Sequence, residues 1–232
     1  MANKKQSRRI HQQKVILGAV VAVIAGVLLY LSSLVVKDAP LGEYVEGTHY
    51  YLLENPRRLR GEKVEIMEFF SYGCVHCYNF DDDLSAWVEA REDKITFLRS
   101  PAISNEAWRI LGRAYYTLEE LDLLGSLHSQ MFYEIHEARR NITSAEQLSN
   151  LLLKEDSARQ QFLEVFKSVE VTQKVNRADE LARRFKVATV PNIIVNGKYL
   201  VQAGNGIGLT RMLDVMDHLI EKETKTKAVT AD

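Results

Sequence analysis

The stretch that decides the fold is Val64-Glu65-Ile66-Met67-Glu68-Phe69-Phe70, followed by Ser71-Tyr72-Gly73 and then Cys74-Val75-His76-Cys77. Its first seven residues are apolar on both faces apart from the two glutamates. A strand of that kind is covered on both sides, as a central strand of a layered α/β sheet is. In strict alternation Val64, Ile66, Glu68 and Phe70 share one face, so a carboxylate points where its apolar neighbours point. After the short turn, Phe80, Leu84, Trp87 and Val88 recur at helical spacing. The cysteine pair therefore sits at the junction of a buried strand and a helix.

Outward from this unit, Lys94–Arg99 reads as a second strand. The following residues are helical in pattern. One stripe is Trp108, Leu111 and Tyr115, and another is Leu124, Leu127, Met131, Phe132 and Ile135. Thr143 with Glu146 forms a capping-box start. Phe162, Val165, Phe166 and Val169 mark a further helix, and Val175, Ala178, Leu181, Ala182 and Phe185 one more. Strand signals return at Asn192–Val195, and Asn196-Gly197 suits a two-residue hairpin turn into Lys198–Val201. Thr210 to Ile220 closes the chain with a helix, and the polar tail 223–232 reads as loose. The order is an α/β core, residues 61–102 and 176–222, with a helical insertion at 103–175. Residues 37–60, broken by Pro40, Gly42, Gly47 and Pro56, read as linker and lead-in.

The average charge hides a segregation. The chain of 232 residues carries a net charge of −1, which excludes an overall basic nucleic-acid binder. Yet residues 1–14 hold Lys4, Lys5, Arg8, Arg9 and Lys14 and no acid, leaving −6 for the rest. From Val15 to Val36 there is no charge for 22 residues. At about 1.5 Å per residue this spans roughly 33 Å, enough for a hydrocarbon core of about 30 Å. A cleaved signal peptide competes, but its apolar run is normally about 7–15 residues long. The reading is a single transmembrane anchor at 15–36, with the basic flank cytoplasmic and residues 38–232 beyond the membrane. Gly18, Ala22 and Gly26 fall on one face, a spacing that lets two membrane helices approach in a homodimer.

The chain holds two cysteines, both in the one C-x-x-C. Cys74 lies where free helix N–H groups and the helix dipole stabilise an anion, and His76 can add charge or a hydrogen bond. Cys77, three residues on, can resolve a mixed disulfide. A zinc site needs about four ligands, and no second pair with ligand spacing exists among six scattered histidines. A structural disulfide closing so short a loop would stabilise little. Dithiol–disulfide exchange, needing neither metal nor cofactor, fits the spacing best.

These residues resemble a known family. Glu68-Phe69-Phe70-Ser71 with Cys74-Val75-His76-Cys77-Tyr78 and Phe80 is similar to the active-site segment of the DsbA thiol–disulfide oxidoreductases. Val190-Pro191 ahead of Asn192–Val195 and Asn196-Gly197-Lys198-Tyr199 resembles that family's cis-proline loop and hairpin. The resemblance implies a thioredoxin-like fold with an inserted helical domain. It makes Cys74 the exposed, reactive thiol of a redox disulfide and Cys77 the buried partner. Pro191 is then in cis beside the pair, with Val190 offering backbone groups to a bound peptide. Glu68 matches the family's buried acid, which passes a proton to Cys77; the alternative is a glutamate that bends out to water. Two departures stand out: Val75 occupies the place of a proline in the best-known member, and the family's strand lysine is absent, with Phe97 at its position and Arg99 nearby.

The functional expectation is an enzyme that introduces disulfides into reduced exported proteins at the periplasmic face of the inner membrane. A DsbB-like, quinone-linked membrane protein would reoxidise it, and residues 15–36 would contact lipid. A reductase or isomerase for a few envelope substrates is the alternative, and an anchored peptide-binding scaffold the non-enzymatic one. Tyr72 and Val75 are expected to border the reactive thiol as part of an apolar docking surface. His128 and His136 read as ordinary helix-surface residues. Arg139-Arg140 and Arg183-Arg184 read as solvated faces, and the Asn141-Ile142-Thr143 acceptor pattern is better explained by the cap at Thr143.

Overall fold

The structure, a computed structural model, describes residues 44–57, 59, 61–204 and 207–231, together with 23, 24 and 26. The basic segment 1–14 lies outside the described residues. So do the apolar run 15–36 expected to be an anchor, apart from those three positions, and Gly18 and Ala22 of its small-residue spacing. Among the described residues no helix is long and apolar enough to cross a membrane. Residues 44–232 form one unit, separate from 1–43.

The strand predicted around Glu68 is β2, Val64–Phe70. It pairs in parallel with β3 (Ile95–Pro101) and antiparallel with β4 (Asn192–Val195). β4 turns into β5 (Tyr199–Gln202), and β1 (Tyr51–Leu52) lies antiparallel on β5, giving the order β1-β5-β4-β2-β3. The turn carries Asn196 at φ 51° and Gly197 at φ 62°, the left-handed pair that a primed hairpin turn requires. A Cβ on Gly197 would also stand 2.9 Å from the Arg57 carbonyl oxygen.

Both faces of the sheet are covered, as the pattern of β2 required. Val64 and Ile66 pack against Phe80, Leu84 and Trp87 of α1 (Val75–Glu89) and against Met212, Val215 and Leu219 of α7 (Leu209–Ala231). Met67 and Phe69 face Phe185 and Leu181 on the other side. The insertion comprises α2 (Glu106–Glu120), α3 (Leu124–His136), α4 (Ala145–Leu152), α5 (Asp156–Phe166) and α6 (Val169–Arg184). Its core of Leu118, Met131, Phe132, Leu148, Phe162 and Val171 continues without a break into Phe70, Tyr72 and Cys77. The insertion is thus packed on the back of the cysteine turn.

Local details correct the sequence reading. The lead-in contains β1, and Tyr44 and Tyr50 are buried beside it. The helix cap is Ser144, whose Oγ accepts from Gln147 N at 3.2 Å, while Gln147 Oε1 accepts from Thr143 N at 2.8 Å. The cap lies one residue later than expected: Gln147, three residues after Ser144, takes the place foreseen for Glu146, and its side chain reaches back to the N–H of Thr143 just before the cap. Val169 does not extend the helix of Phe162; it opens α6 and is 65% exposed. α6 runs through the expected 175/176 boundary, with Val175 in the insertion core and Leu181 under the sheet. The C-terminal tail starts inside α7, and Glu223 is buried, accepting from Asn196 Nδ2, from Lys198 Nζ at 2.6 Å and from Tyr199 Oη at 2.8 Å. A polar residue in a polar run gave no sign that three donors of the hairpin converge on it.

Candidate active site

Cys74 is the N-cap of α1, with an extended φ of −102°. Its N–H donates to Ser71 O at 3.0 Å and its C=O accepts from Tyr78 N at 3.1 Å, so the turn and the first helical bond fix it from both sides. Gly73 is forced by crowding, since a Cβ there would lie 2.8 Å from Trp108 Nε1. The Cys74 thiol is half-buried and donates to the Val190 carbonyl oxygen at 3.4 Å. The Val190–Pro191 bond is cis.

The two sulfurs are electrostatically unequal. The Cys74 pKa is lowered to about 6, chiefly by a hydrogen bond from the Cys77 thiol. Backbone N–H groups of Cys77 and His76 and the charge of His76 add to this, against burial, which raises it. His76 itself is exposed at the helix start. Cys77 is fully buried, and burial, then its bond to Cys74, push its thiol far above the ordinary value. An attacking thiolate is therefore available at Cys74, while Cys77 needs a proton partner to leave or to attack.

Glu68 lies within the field of that buried thiol and pushes it further up. It is buried, so it does not bend out to water, and it accepts from Arg99 Nε at 2.8 Å. Burial raises its pKa; the charge and hydrogen bond of Arg99 oppose this, while Asp81 and Cys74 raise it further. Register explains the pair, because Glu68 and Arg99 are direct partners across β2 and β3. Arg99 also donates through Nη2 to Asp81 Oδ1 at 2.7 Å, and Asp81 Oδ1 lies 3.1 Å from His128 Nε2. The other nitrogen of His128, Nδ1, is 2.7 Å from Tyr72 Oη.

Of the expected site residues, the structure gathers Cys74, Cys77, His76, Glu68, Val190 and Pro191 around the pair. Val75 is 50% exposed next to Cys74. Tyr72 is not part of a docking surface: it is 1% exposed, its ring packed against Phe70, His128 and Phe132. His128 is buried, and His136 holds the Tyr72 carbonyl oxygen at 2.8 Å while stacking on Tyr78 at 5.0 Å. Neither is an ordinary surface histidine, because α3 presents both to the cysteine turn. Asp81 and His128 escaped the sequence reading although a signal exists. Cys77, Phe80, Asp81 and Leu84 share one helical stripe, and His128 falls four residues before Phe132 on another. Among the described residues no group of three His, Cys, Asp or Glu is placed to hold a metal ion.

Comparison with known proteins agrees with this geometry. The family model described as "DSBA-like thioredoxin domain" matches residues 98–219. The "Thiol:disulfide interchange protein DsbA" of Pseudomonas aeruginosa is 30% identical over 197 residues, covering 84% of this chain and 93% of that protein. The protein of the same name from Azotobacter vinelandii is 31% identical over 217 residues, covering 91% and 98%. The crystal structure of Pseudomonas aeruginosa DsbA superimposes with a TM-score of 0.75, covering 82% of this chain and 98% of that one.

Proposed function

Since this chain belongs to the DsbA-like thioredoxin family, we propose that it is a thiol–disulfide oxidoreductase that introduces disulfides into exported proteins from an anchored position at the periplasmic face of a membrane. The observation that carries the reading is the unequal thiol pair. Cys74 is half-exposed with a pKa of about 6, and Cys77 is buried behind it with Glu68 as its carboxyl neighbour.

In the oxidised enzyme a substrate thiolate attacks Cys74 Sγ, the Cys74–Cys77 bond breaks, and Cys77 takes a proton from Glu68. A second substrate thiolate then attacks the substrate sulfur of the mixed disulfide. The product disulfide leaves, Cys74 departs as the stabilised thiolate, and the enzyme is reduced by two electrons. The Val190 carbonyl, 3.4 Å from Cys74 Sγ, supports extended binding of the substrate strand across the cis-proline loop. A DsbB-type, quinone-linked membrane partner would take the electron pair and restore the disulfide. The apolar run 15–36 supports the anchor, and resistance of the full chain to alkaline extraction from membranes tests it.

One observation favours the milder reading, a reductase or isomerase for a few substrates. The Cys74 pKa of about 6 lies between reference values of about 3.5 for DsbA and about 7 for thioredoxin. Equilibration against glutathione decides between them. A potential near the reference of about −120 mV for DsbA supports the oxidant, and one near about −270 mV, as in thioredoxin, the reductase. Full oxidation of reduced substrate protein by Cys74→Ser would refute the mechanism, and an absence of any exchange would leave the scaffold.

A further inference from the structure

One guanidinium serves two buried carboxylates. Arg99 reaches Glu68 at 2.8 Å and Asp81 at 2.7 Å, and its side chain is only 15% exposed. A single cation neutralises one of the two. The other must stay ionised without full compensation in a low-dielectric interior, or hold a proton.

The additional partners decide which. Asp81 Oδ1 has the His128 ring at 3.1 Å, and the Tyr72 hydroxyl stands 2.7 Å from the far nitrogen of that ring. With the hydroxyl donating to Nδ1, the ring proton sits on Nε2 and points at Asp81. Glu68 accepts from Arg99 Nε alone among the described residues. The carboxylate with two donors is the better anion, and the one with a single donor is the better acid.

We propose that His128, backed by Tyr72, is a positioning residue for the exchange reaction: it fixes Asp81 as the ionised partner of Arg99 and leaves Glu68 as the carboxyl that carries the proton for Cys77. The inference rests on the reading of Glu68 as the proton partner of Cys77. Through it the helical insertion, which supplies His128 from α3, takes part in the chemistry.

The surroundings agree. Burial would raise the Asp81 pKa, but the hydrogen bond from the neutral His128 ring, with the charge of Arg99, brings it below the ordinary value. Burial lowers that of His128, which keeps the ring neutral. The groups that face Glu68 are Arg99 from β3 and Asp81, Cys74 and Cys77 from α1. Tyr72 of the cysteine turn and Tyr115 of α2 share its field. His128 faces Asp81, Arg99 and Tyr72, and the rings of Phe70, Tyr115 and Phe132.

The test follows the Glu68 carboxyl proton in the full chain by infrared difference spectra across pH, with Glu68→Gln identifying the band, beside the pH profile of substrate oxidation. A unit charge roughly 6 Å away at an effective dielectric of about 20 moves a titration midpoint by about two pH units. Asp81→Asn, which leaves the cation to Glu68, should lower the midpoint by about one to two pH units. His128→Phe should lower it less, His128→Gln, which keeps a donor, should restore it, and Tyr72→Phe should give a small shift the same way with the fold least disturbed. In a Glu68→Gln background the variants should leave the pH profile unmoved. A band present in the parent but unmoved by His128→Phe and Tyr72→Phe, whatever Asp81→Asn does, overturns the inference alone. No protonated Glu68 band at neutral pH overturns the proton-partner reading and the inference with it.

Discussion

Replacing Cys77 probes the origin of the reactive thiolate at its largest source. Cys74 titrates at about 6 against an ordinary value of 9.0, and the leading cause is the hydrogen bond from the Cys77 thiol. At pH 7 such a thiol is about 90% thiolate, where an ordinary one is about 1%. The lowered pKa stabilises the reduced protein fully above the ordinary value, and that stabilisation is lost as pH falls through about 6. At pH 7 it amounts to at most about 1.4 kcal/mol, a ceiling because solvent screens a half-exposed thiol, and this equals about 30 mV in a two-electron couple. Cys77→Ala removes the donor, and Cys77→Ser keeps a hydroxyl in its place. The Cys74 inflection should rise by more than about one pH unit in the alanine variant and stay within about half a unit of the parent in the serine variant. Thiolate ultraviolet absorbance against pH measures it, and the pH profile of alkylation checks it. The inflection is the readout, rather than a rate at one pH, because a thiolate of higher pKa is also the better nucleophile and offsets its lower population. A parent inflection near 9, or one that Cys77→Ala leaves at about 6, refutes the reasoning. The second outcome would hand the stabilisation to the backbone N–H groups of the helix start.

Two further outcomes are expected. Gly73→Ala should cost about 1–3 kcal/mol in urea unfolding, because its Cβ would stand 2.8 Å from Trp108 Nε1 and the indole must yield; an unchanged midpoint would show that the turn has slack. Glu223→Ala should destabilise by about 2–4 kcal/mol, since it leaves Asn196, Lys198 and Tyr199 without their acceptor. Burial raises the Glu223 pKa, but the bonds from Lys198, Tyr199 and Asn196 bring it below the ordinary value, so its stabilisation is lost as pH falls through that lowered value. The variant's acid unfolding should therefore be less pH-dependent than the parent's.

Most of the fold's elements could be read from local pattern. β2 matches its predicted bounds, and the hairpin turn falls at Asn196-Gly197 as the dipeptide demands. Periodicity works there because a strand or helix writes its buried face into residues two, three or four apart. The same logic fails where several helices touch one another. α6 serves two cores, and its sequence carries one continuous stripe that cannot say which residues meet the insertion and which meet the sheet.

What the sequence by itself determined is the chemistry: one Cys-x-x-Cys at a strand–helix junction, a carboxylate directed inward from the strand before it, and a proline ahead of the next strand. Each is a statement about neighbours along the chain. What only the tertiary structure decided is the partnership around that chemistry. Arg99 meets Glu68 because two strands lie in one parallel register, and Asp81 meets His128, 47 positions away in sequence, because α3 is laid against α1. Tyr72, apolar by its place beside the thiol, is turned inward by the same packing and spends its hydroxyl on His128. Contacts between residues so far apart leave no period in the sequence, since a buried charge is tolerated only where its partner arrives, and the fold alone brings it there.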